Sequence, residues 1–112
     1  MKITKIETVN SSPNHHNIDA RNIYNTKHAS VTHLTLQAGE SLKRHITPVD
    51  VFFYVLEGTG IVEIGDAQQE VHKDTIIESP AKIPHCLYNK SNSVFRVLVA
   101  KVPRPTNSTV IL

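Results

Sequence analysis

The sequence predicts an all-β fold, built as a sandwich or a barrel, and three observations support this class. Short segments rich in β-branched and aromatic residues recur along the chain. Turn-forming residues separate these segments at short intervals. No segment carries the sustained period of an amphipathic helix. The chain therefore lacks the alternation of strands and helices that marks an α/β domain.

Six segments are predicted as strands. In the first, Leu34 and Leu36 alternate with His33 and Thr35, which is the period of a half-buried strand. The others share its composition. In chain order the six segments cover residues 31–39, 51–58, 60–66, 70–79, 85–89 and 94–102. Turn signals separate them at Ala38-Gly39, Gly58-Thr59-Gly60, Gly65-Asp66, Ser79-Pro80 and 89–92.

A length of 112 residues suits one compact domain whose core needs no disulfide. We expect residues 1–112 to form a single domain with its barrel core at 31–102. The segment 1–30 is expected to pack on the barrel or on a dimer partner. Two prolines in the tail, 103–112, predict an extended segment that covers a sheet edge.

Charge and composition argue against several classes of partner. The net charge is +2, and the 12 Lys and Arg residues are scattered, so no nucleic-acid surface is predicted. No stretch is long and apolar enough to span a bilayer. The single cysteine, Cys86, and an N-terminus without the apolar run of a signal peptide predict a cytoplasmic protein.

The segment 51–56 is apolar on both faces. Its two faces carry Val51, Phe53 and Val55 on one side and Phe52, Tyr54 and Leu56 on the other. A sheet with one solvated face would carry a polar residue at every second position. We therefore expect a second subunit, or the N-terminal segment, to cover the outer face, and we favour a homodimer.

The stretch 39–58 resembles the first motif of the cupin superfamily. That motif runs glycine, five residues, His, one residue, His, three or four residues, Glu, six residues, glycine. Gly39, His45 and Gly58 keep this spacing, while Thr47 stands at the second histidine and Val51 at the glutamate. The resemblance implies a double-stranded β-helix barrel of jelly-roll type.

The second cupin motif is similar to SPAKIPHCLYN at residues 79–89. Pro80, His85 and Asn89 match its pattern, and Lys82 stands where glycine is usual. The Gly-Asp turn that precedes this motif in the family corresponds to Lys73-Asp74. Two motifs in this order and at this separation identify the chain as a member of the superfamily.

The resemblance implies a metal site with half of its ligands. Metal-binding cupins use both histidines and the glutamate of the first motif with the histidine of the second, and only His45 and His85 remain here. Valine has no donor atom, and a neutral threonine hydroxyl is a poor ligand. Alternation sends Asp50 to the opposite face, and Glu57 lies near the far strand end. A divalent ion held by two histidines and a metal-free pocket both remain open.

Without metal, the resemblance places His45 and His85 together in the barrel as acid–base groups for a small polar metabolite. An isomerase, epimerase or lyase would use such a pair, whereas a dioxygenase would need the metal. Non-catalytic ligand binding and a structural dimer without metal are the alternatives. The predicted ligand pocket comprises Lys43, Thr47, Val51, Phe53, Val55 and Leu87. Arg21 and Tyr24 are candidates for its rim.

The other histidines are not predicted to form a site. His15, His16 and His28 lie in polar, turn-forming stretches and are expected to be solvated. His33 and His72 are expected at the surface or at an interface. Alternation turns Cys86 away from His85, so it is not predicted as a nucleophile or a metal ligand.

Overall fold

A computed structural model of the protein describes residues 1–107 and 109–112. It contains two five-stranded antiparallel sheets, in the orders β1-β2-β9-β4-β7 and β10-β3-β8-β5-β6, which face each other as a jelly-roll barrel. The predicted fold class is confirmed. A 3-10 helix at Ile6–Thr8 precedes the strands, which are β1 Asp19–Thr26, β2 Ala29–Leu36, β3 Ser41–Ile46, β4 Asp50–Glu57, β5 Thr59–Ile64, β6 Ala67–His72, β7 Ile76–Ser79, β8 His85–Tyr88, β9 Phe95–Val102 and β10 Val110–Ile111.

Several strands differ from the prediction. β1 and β3 were not predicted, because β1 is a polar edge strand and β3 carries two cations in its centre. The segment 70–79, predicted as one strand, is divided between β6 and β7. Asp74 lies between them with a φ of 63°, a left-handed conformation that ends a strand.

The core lies between the sheets and consists of the inward residues of both. Its largest fully buried apolar side chains are Phe53, Phe95, Leu36, Leu87, Val55 and Val97. The outward residues of β4 are half-buried, in contrast to their fully buried inward neighbours. The inward faces therefore fill the space between the sheets with side chains.

Two positions of the cupin motifs have a backbone conformation that favours glycine. Gly58 has a φ of 85°, and a Cβ there would lie 2.2 Å from the carbonyl oxygen of Val94. Only glycine fits this turn without moving the backbone. Lys82, at the glycine position of the second motif, also has a positive φ, 67°. The left-handed conformation is therefore adopted here by a lysine, for which it is strained.

The C-terminal tail returns to the barrel. Val110 and Ile111 pair with Ile46 and His45 of β3, and the amide of Leu112 donates to the carbonyl of Arg44 at 3.1 Å. This short pairing covers the free edge of the second sheet. Within the described part of the chain, no helix is long and apolar enough to cross a membrane.

Candidate functional site

His45 and His85 lie side by side inside the barrel. They are register partners on the neighbouring strands β3 and β8. Their Nε2 atoms are 2.9 Å apart, and the rings meet edge to face with centroids 4.4 Å apart. Both residues are buried, with exposed fractions of 5% and 2%. The two imidazoles therefore form one hydrogen-bonded pair.

A chain of hydrogen bonds assigns the tautomer of each ring. Nδ1 of His45 is 2.6 Å from the carbonyl oxygen of Lys43, which can only accept, so this nitrogen carries the proton. Nε2 of His45 is then the acceptor, and Nε2 of His85 donates to it. Nδ1 of His85 accepts from the Ser79 hydroxyl at 2.7 Å. All four ring nitrogens thus have partners when both rings are neutral.

Burial keeps the pair neutral. Desolvation, followed by the charges of His45 and Lys101, lowers the pKa of His85 from 6.5 to about 3. The pKa of His45 is also lowered, chiefly by desolvation, although the bond to the Lys43 carbonyl works in the other direction. A second proton would place two cations in contact, so the pair titrates as a coupled unit.

Thr47 and Val51, at the replaced ligand positions, both lie beside this pair. Thr47 is 1% exposed, and its hydroxyl lies 3.4 Å from Nε2 of His85. Val51 is the register partner of Ser79, the residue that donates to His85, and it belongs to the apolar core. The structure therefore brings both residues to the histidine pair, one as a weak polar neighbour and the other as packing.

The remaining predicted pocket residues do not share one open space. The Phe53 ring meets His85 edge to face at 5.2 Å between centroids. Val55 and Leu87 have no exposed surface and are core residues. Lys43 is exposed on β3 and contributes its backbone to the site rather than its ammonium group.

A cavity of about 430 Å³ opens beside His45. It lies at the end of the barrel where the N-terminal segment, β2, β3, β9 and the tail approach one another. Its lining residues are Asn14, His15, His16, Thr32, Leu34, Leu42, His45, Val99, Lys101, Thr109 and Ile111. Polar and aliphatic side chains thus line the cavity together, because β2, β3 and β9 each contribute one of each kind.

His16 is a site residue that the sequence analysis misassigned as a solvated loop residue. Its Nδ1 accepts from the amide of Lys43 at 2.8 Å, and its ring centroid lies 5.2 Å from that of His45. Burial, followed by the proximity of His45, lowers its pKa to about 4. The partner strand is 27 residues away in sequence. No local pattern could have indicated this contact.

Lys101 is the second residue that sequence reasoning missed. It lies half-buried on β9 and lines the cavity. Desolvation lowers its pKa, and its charge contributes to the lowered pKa values of His16, His45 and His85. Lys101 therefore shares the cavity lining with His16 and His45. Alternation along β9 gave the signal, since Lys101 shares the parity of the inward residues Val97 and Val99.

Two further predictions about histidines can be compared with the structure. His33 is buried, with 2% exposed, and its Nε2 accepts from Arg96 at 3.1 Å, so it does not lie at the surface, while the alternative of an interface stays a prediction. His72 is exposed and lies 3.3 Å from Glu70.

Cys86 contacts Glu63 at 3.1 Å and does not face the pair. Neither of the two predicted rim residues lines the cavity. Arg21 forms an ion pair with Asp19 on β1, and Tyr24 is 53% exposed.

The donor set beside the pair is smaller than in the family motif. Among the residues that the structure describes, no three His, Cys, Asp or Glu side chains form a group that could hold a metal. Asp50 accepts from the amide of Ala81, and Glu57 pairs with Arg96. First-row ions generally take three or more protein ligands. A divalent ion at this pair would therefore need a donor beyond the two imidazoles.

Comparison with known proteins places these residues in a wider context. A family model described as a cupin domain matches residues 32–101. The uncharacterized protein MJ1618 of Methanocaldococcus jannaschii is 30% identical over 84 residues, which cover 73% of this chain and 66% of the relative. The uncharacterized protein YrkC of Bacillus subtilis is 28% identical over 105 residues, covering 88% and 56%. The chain thus spans less than two thirds of either relative.

A solved structure extends the comparison to the whole fold. The polyketide cyclase RemF from Streptomyces resistomycificus has a TM-score of 0.85 and 18% identity to this chain. The match covers 100% of this chain and 85% of RemF. At this identity the likeness concerns the fold alone.

Proposed function

This chain belongs to the cupin family, and on that premise we propose that it binds a small polar molecule in the cavity beside His45, with the His45–His85 pair as its acid–base group. The observation that supports this proposal is the neutral pair itself. Two buried imidazoles are joined to Ser79 on one side, and one of them lines an open cavity on the other. Cavities with a few convergent polar groups and perturbed pKa values are the usual sites of binding and catalysis.

Proton transfer requires His45 to present a free nitrogen. Its Nε2 is occupied by the N–H of His85, and Thr47 offers that N–H a second acceptor 3.4 Å away. A small rotation of the His85 ring towards Thr47 releases the lone pair of His45. The released nitrogen then accepts a proton from an acidified C–H or O–H of the ligand, as a general base does. This chemistry suits isomerase, epimerase or lyase reactions.

Non-catalytic binding is a second candidate, and one observation favours it. All four ring nitrogens of the pair already have hydrogen-bond partners, so the resting site needs no substrate to satisfy them. In that case the pair is a rigid wall that positions a ligand. Fold does not decide between the two functions, since cupin barrels support several chemistries. RemF is itself a cyclase.

The test uses a panel of small hydroxy and oxo acids, their amides, and simple sugars. Titration is followed on the ring nitrogens of ¹⁵N-labelled histidines. We expect at least one compound to give a saturable shift at His45, to lose affinity in His45→Gln, and to keep it in the control His72→Gln, which alters an exposed histidine. Deuterium uptake from D₂O into the bound compound identifies general-base catalysis. Saturable binding without uptake favours the non-catalytic candidate, and no saturable shift refutes both.

The proposal is metal-independent, since the chain offers two imidazoles and Val51 contributes no donor atom. Elemental mass spectrometry of the untagged protein provides the direct measurement. We expect far less than one equivalent of any divalent ion after purification and after incubation with zinc or manganese. Near-stoichiometric metal that is lost in His45→Ala and in His85→Ala would contradict the donor count and identify a ligand set with an additional member.

We also propose a homodimer formed through the outer face of the first sheet. Phe52 and Tyr54 of β4 are half-exposed there, and Ile76 of β7, the register partner of Tyr54, is 56% exposed. Light scattering should give twice the chain mass, and Tyr54→Lys should return it to the monomer value. Residues 1–112 are proposed as one domain in the cytoplasm, where a lone thiol such as Cys86 stays reduced.

A further inference from the structure

Lys101 has no ionic partner among the residues that the structure describes. The described residues form four ion pairs, and none of them includes Lys101. The residue is half-buried, so its ammonium group has given up part of its hydration without a carboxylate in return. The lining residues of the cavity likewise include no Asp or Glu. The cavity thus holds an unneutralised positive charge.

His16 adds a donor to the same lining. Its Nδ1 accepts from the backbone amide of Lys43, so in the neutral ring the proton sits on Nε2. Among the described residues no side chain or carbonyl accepts a hydrogen bond from this N–H. Thr32 and Thr109 line the cavity as well, and the Thr32 hydroxyl accepts a hydrogen bond from Asn22 at 3.3 Å. The cavity therefore combines a donor from His16 with the cationic side chain of Lys101.

The lining also has an aliphatic part. Leu34, Leu42, Val99 and Ile111 belong to it and would receive the hydrocarbon part of a ligand. A volume of about 430 Å³ lies at the lower end of the range for small-molecule sites, which begins at about 300 Å³. A single formal charge matches a monoanion better than a dianion. Shape and charge together describe a short-chain acid.

We propose that the ligand is a small carboxylate, held by an ion pair with Lys101 and a hydrogen bond from His16, with its apolar body against the leucines. This proposal rests on the proposed binding function and adds the chemical class of the ligand. The carboxylate is the missing counter-charge of the cavity. Charge-assisted hydrogen bonds of this kind are among the stronger polar contacts in proteins.

The experiment compares isosteric pairs of ligands. Isobutyrate with isobutyramide, and lactate with lactamide, differ only in charge, and methyl phosphate serves as the dianionic arm. Dissociation constants are measured by titration of the wild-type protein, followed on backbone amides and on the His16 ring. We expect each acid to bind about tenfold more tightly than its amide, which is the effect of one charged contact. Methyl phosphate should bind more weakly than either acid.

Variants assign this preference to Lys101. Lys101→Gln should abolish the difference between acid and amide, and Lys101→Arg should retain most of it. Lys73→Gln, which removes an exposed lysine outside the cavity lining, is the matched control and should leave the preference intact. A preference that survives in Lys101→Gln, or a Lys101→Gln variant that loses both ligands while keeping a native amide spectrum, would overturn the proposal.

The outcomes also separate this inference from the one on which it rests. Equal binding of acid and amide, or tighter binding of methyl phosphate, overturns the carboxylate class and leaves the binding function standing. If no member of this set or of the wider panel binds, both proposals fall.

Discussion

Acidification should destabilise the protein through His85. Its pKa is about 3 in the folded chain, against 6.5 for the free imidazole, because burial and the adjacent His45 oppose its charge. Between these two values the unfolded chain binds a proton at this site that the folded chain does not. A group whose pKa is lowered on folding stabilises fully above its unfolded pKa and loses that contribution as the pH falls. The stability should therefore decrease from pH 7 to pH 5.

The magnitude follows from the same two values. At pH 5 the solution lies 1.5 units below the unfolded pKa of 6.5 and well above the folded value of about 3. Each unit in this interval costs about 1.4 kcal/mol for one proton, so His85 alone removes about 2 kcal/mol. His45 and His16 shift in the same direction and add to the loss. Set against the usual stability of a small domain, about 5–15 kcal/mol, this is a large change.

Urea denaturation of the wild type and of His85→Gln at pH 7 and pH 5 measures this contribution. The loss of unfolding free energy on acidification should be smaller in His85→Gln by about 2 kcal/mol. A direct titration of the His85 ring nitrogens in the folded protein provides an independent check, and they should remain neutral at pH 5. The argument fails if both proteins lose the same stability, or if the ring titrates near pH 6.5 in the native state.

Three further substitutions have defined outcomes. Ser79→Ala removes the donor to Nδ1 of His85 and should lower the free energy of unfolding, measured with urea, by about 1–2 kcal/mol. It should also change the tautomer ratio of His85 in ¹⁵N spectra. An unchanged ratio would show that Ser79 does not fix the ring. Gly60→Ala places a Cβ 2.2 Å from the fully buried ring of Phe95 and should cost about 1–3 kcal/mol, visible as a lower melting temperature. Lys82→Gly relieves a φ of 67° and should stabilise by about 0.5 kcal/mol, since the relief exceeds the added entropy of the unfolded chain; a loss of stability would show that the Lys82 side chain makes a net contribution.

Most strands of the barrel were predicted from the sequence because the patterns that indicate strands and turns are local. Alternation, turn residues and the spacing from Gly39 to Gly58 each depend on a few neighbouring positions, and the structure reproduces them in β2, β4 and β9. The edge strand β1 was not predicted because it pairs on one side only and carries polar residues on much of its surface. Patterns of burial predict strands that are buried, and they are weakest at edges.

The site was predicted in part for the same reason. His45 and His85 belong to motifs, so their proximity follows from spacing, whereas His16 reaches the site through a loop that closes over 27 residues. Lys101 stands at a strand position that faces the core, but its side chain is charged. A charged side chain is expected to be solvated when only the sequence is known. Its unpaired charge becomes evident only when the neighbouring strands, the N-terminal segment and the tail are assembled in three dimensions.

The packing of Val51 bears on how this barrel would respond to engineering. Val51 and Thr47 are 4% and 1% exposed, and they flank two imidazoles whose Nε2 atoms are 2.9 Å apart. Val51→Glu combined with Thr47→His would complete the donor set of the family motif. It would also bury a carboxylate next to Lys101, the register partner of position 51 on β9, so the buried charge would have a countercharge without a metal ion.

An ion that binds the completed donor set would stabilise this double variant by mass action, with a gain that grows with the free concentration of zinc or manganese. Chelators should lower its melting temperature, and added ions should raise it. Thr47 and Val51 thus mark the two positions at which the stability of the barrel can be made to depend on metal.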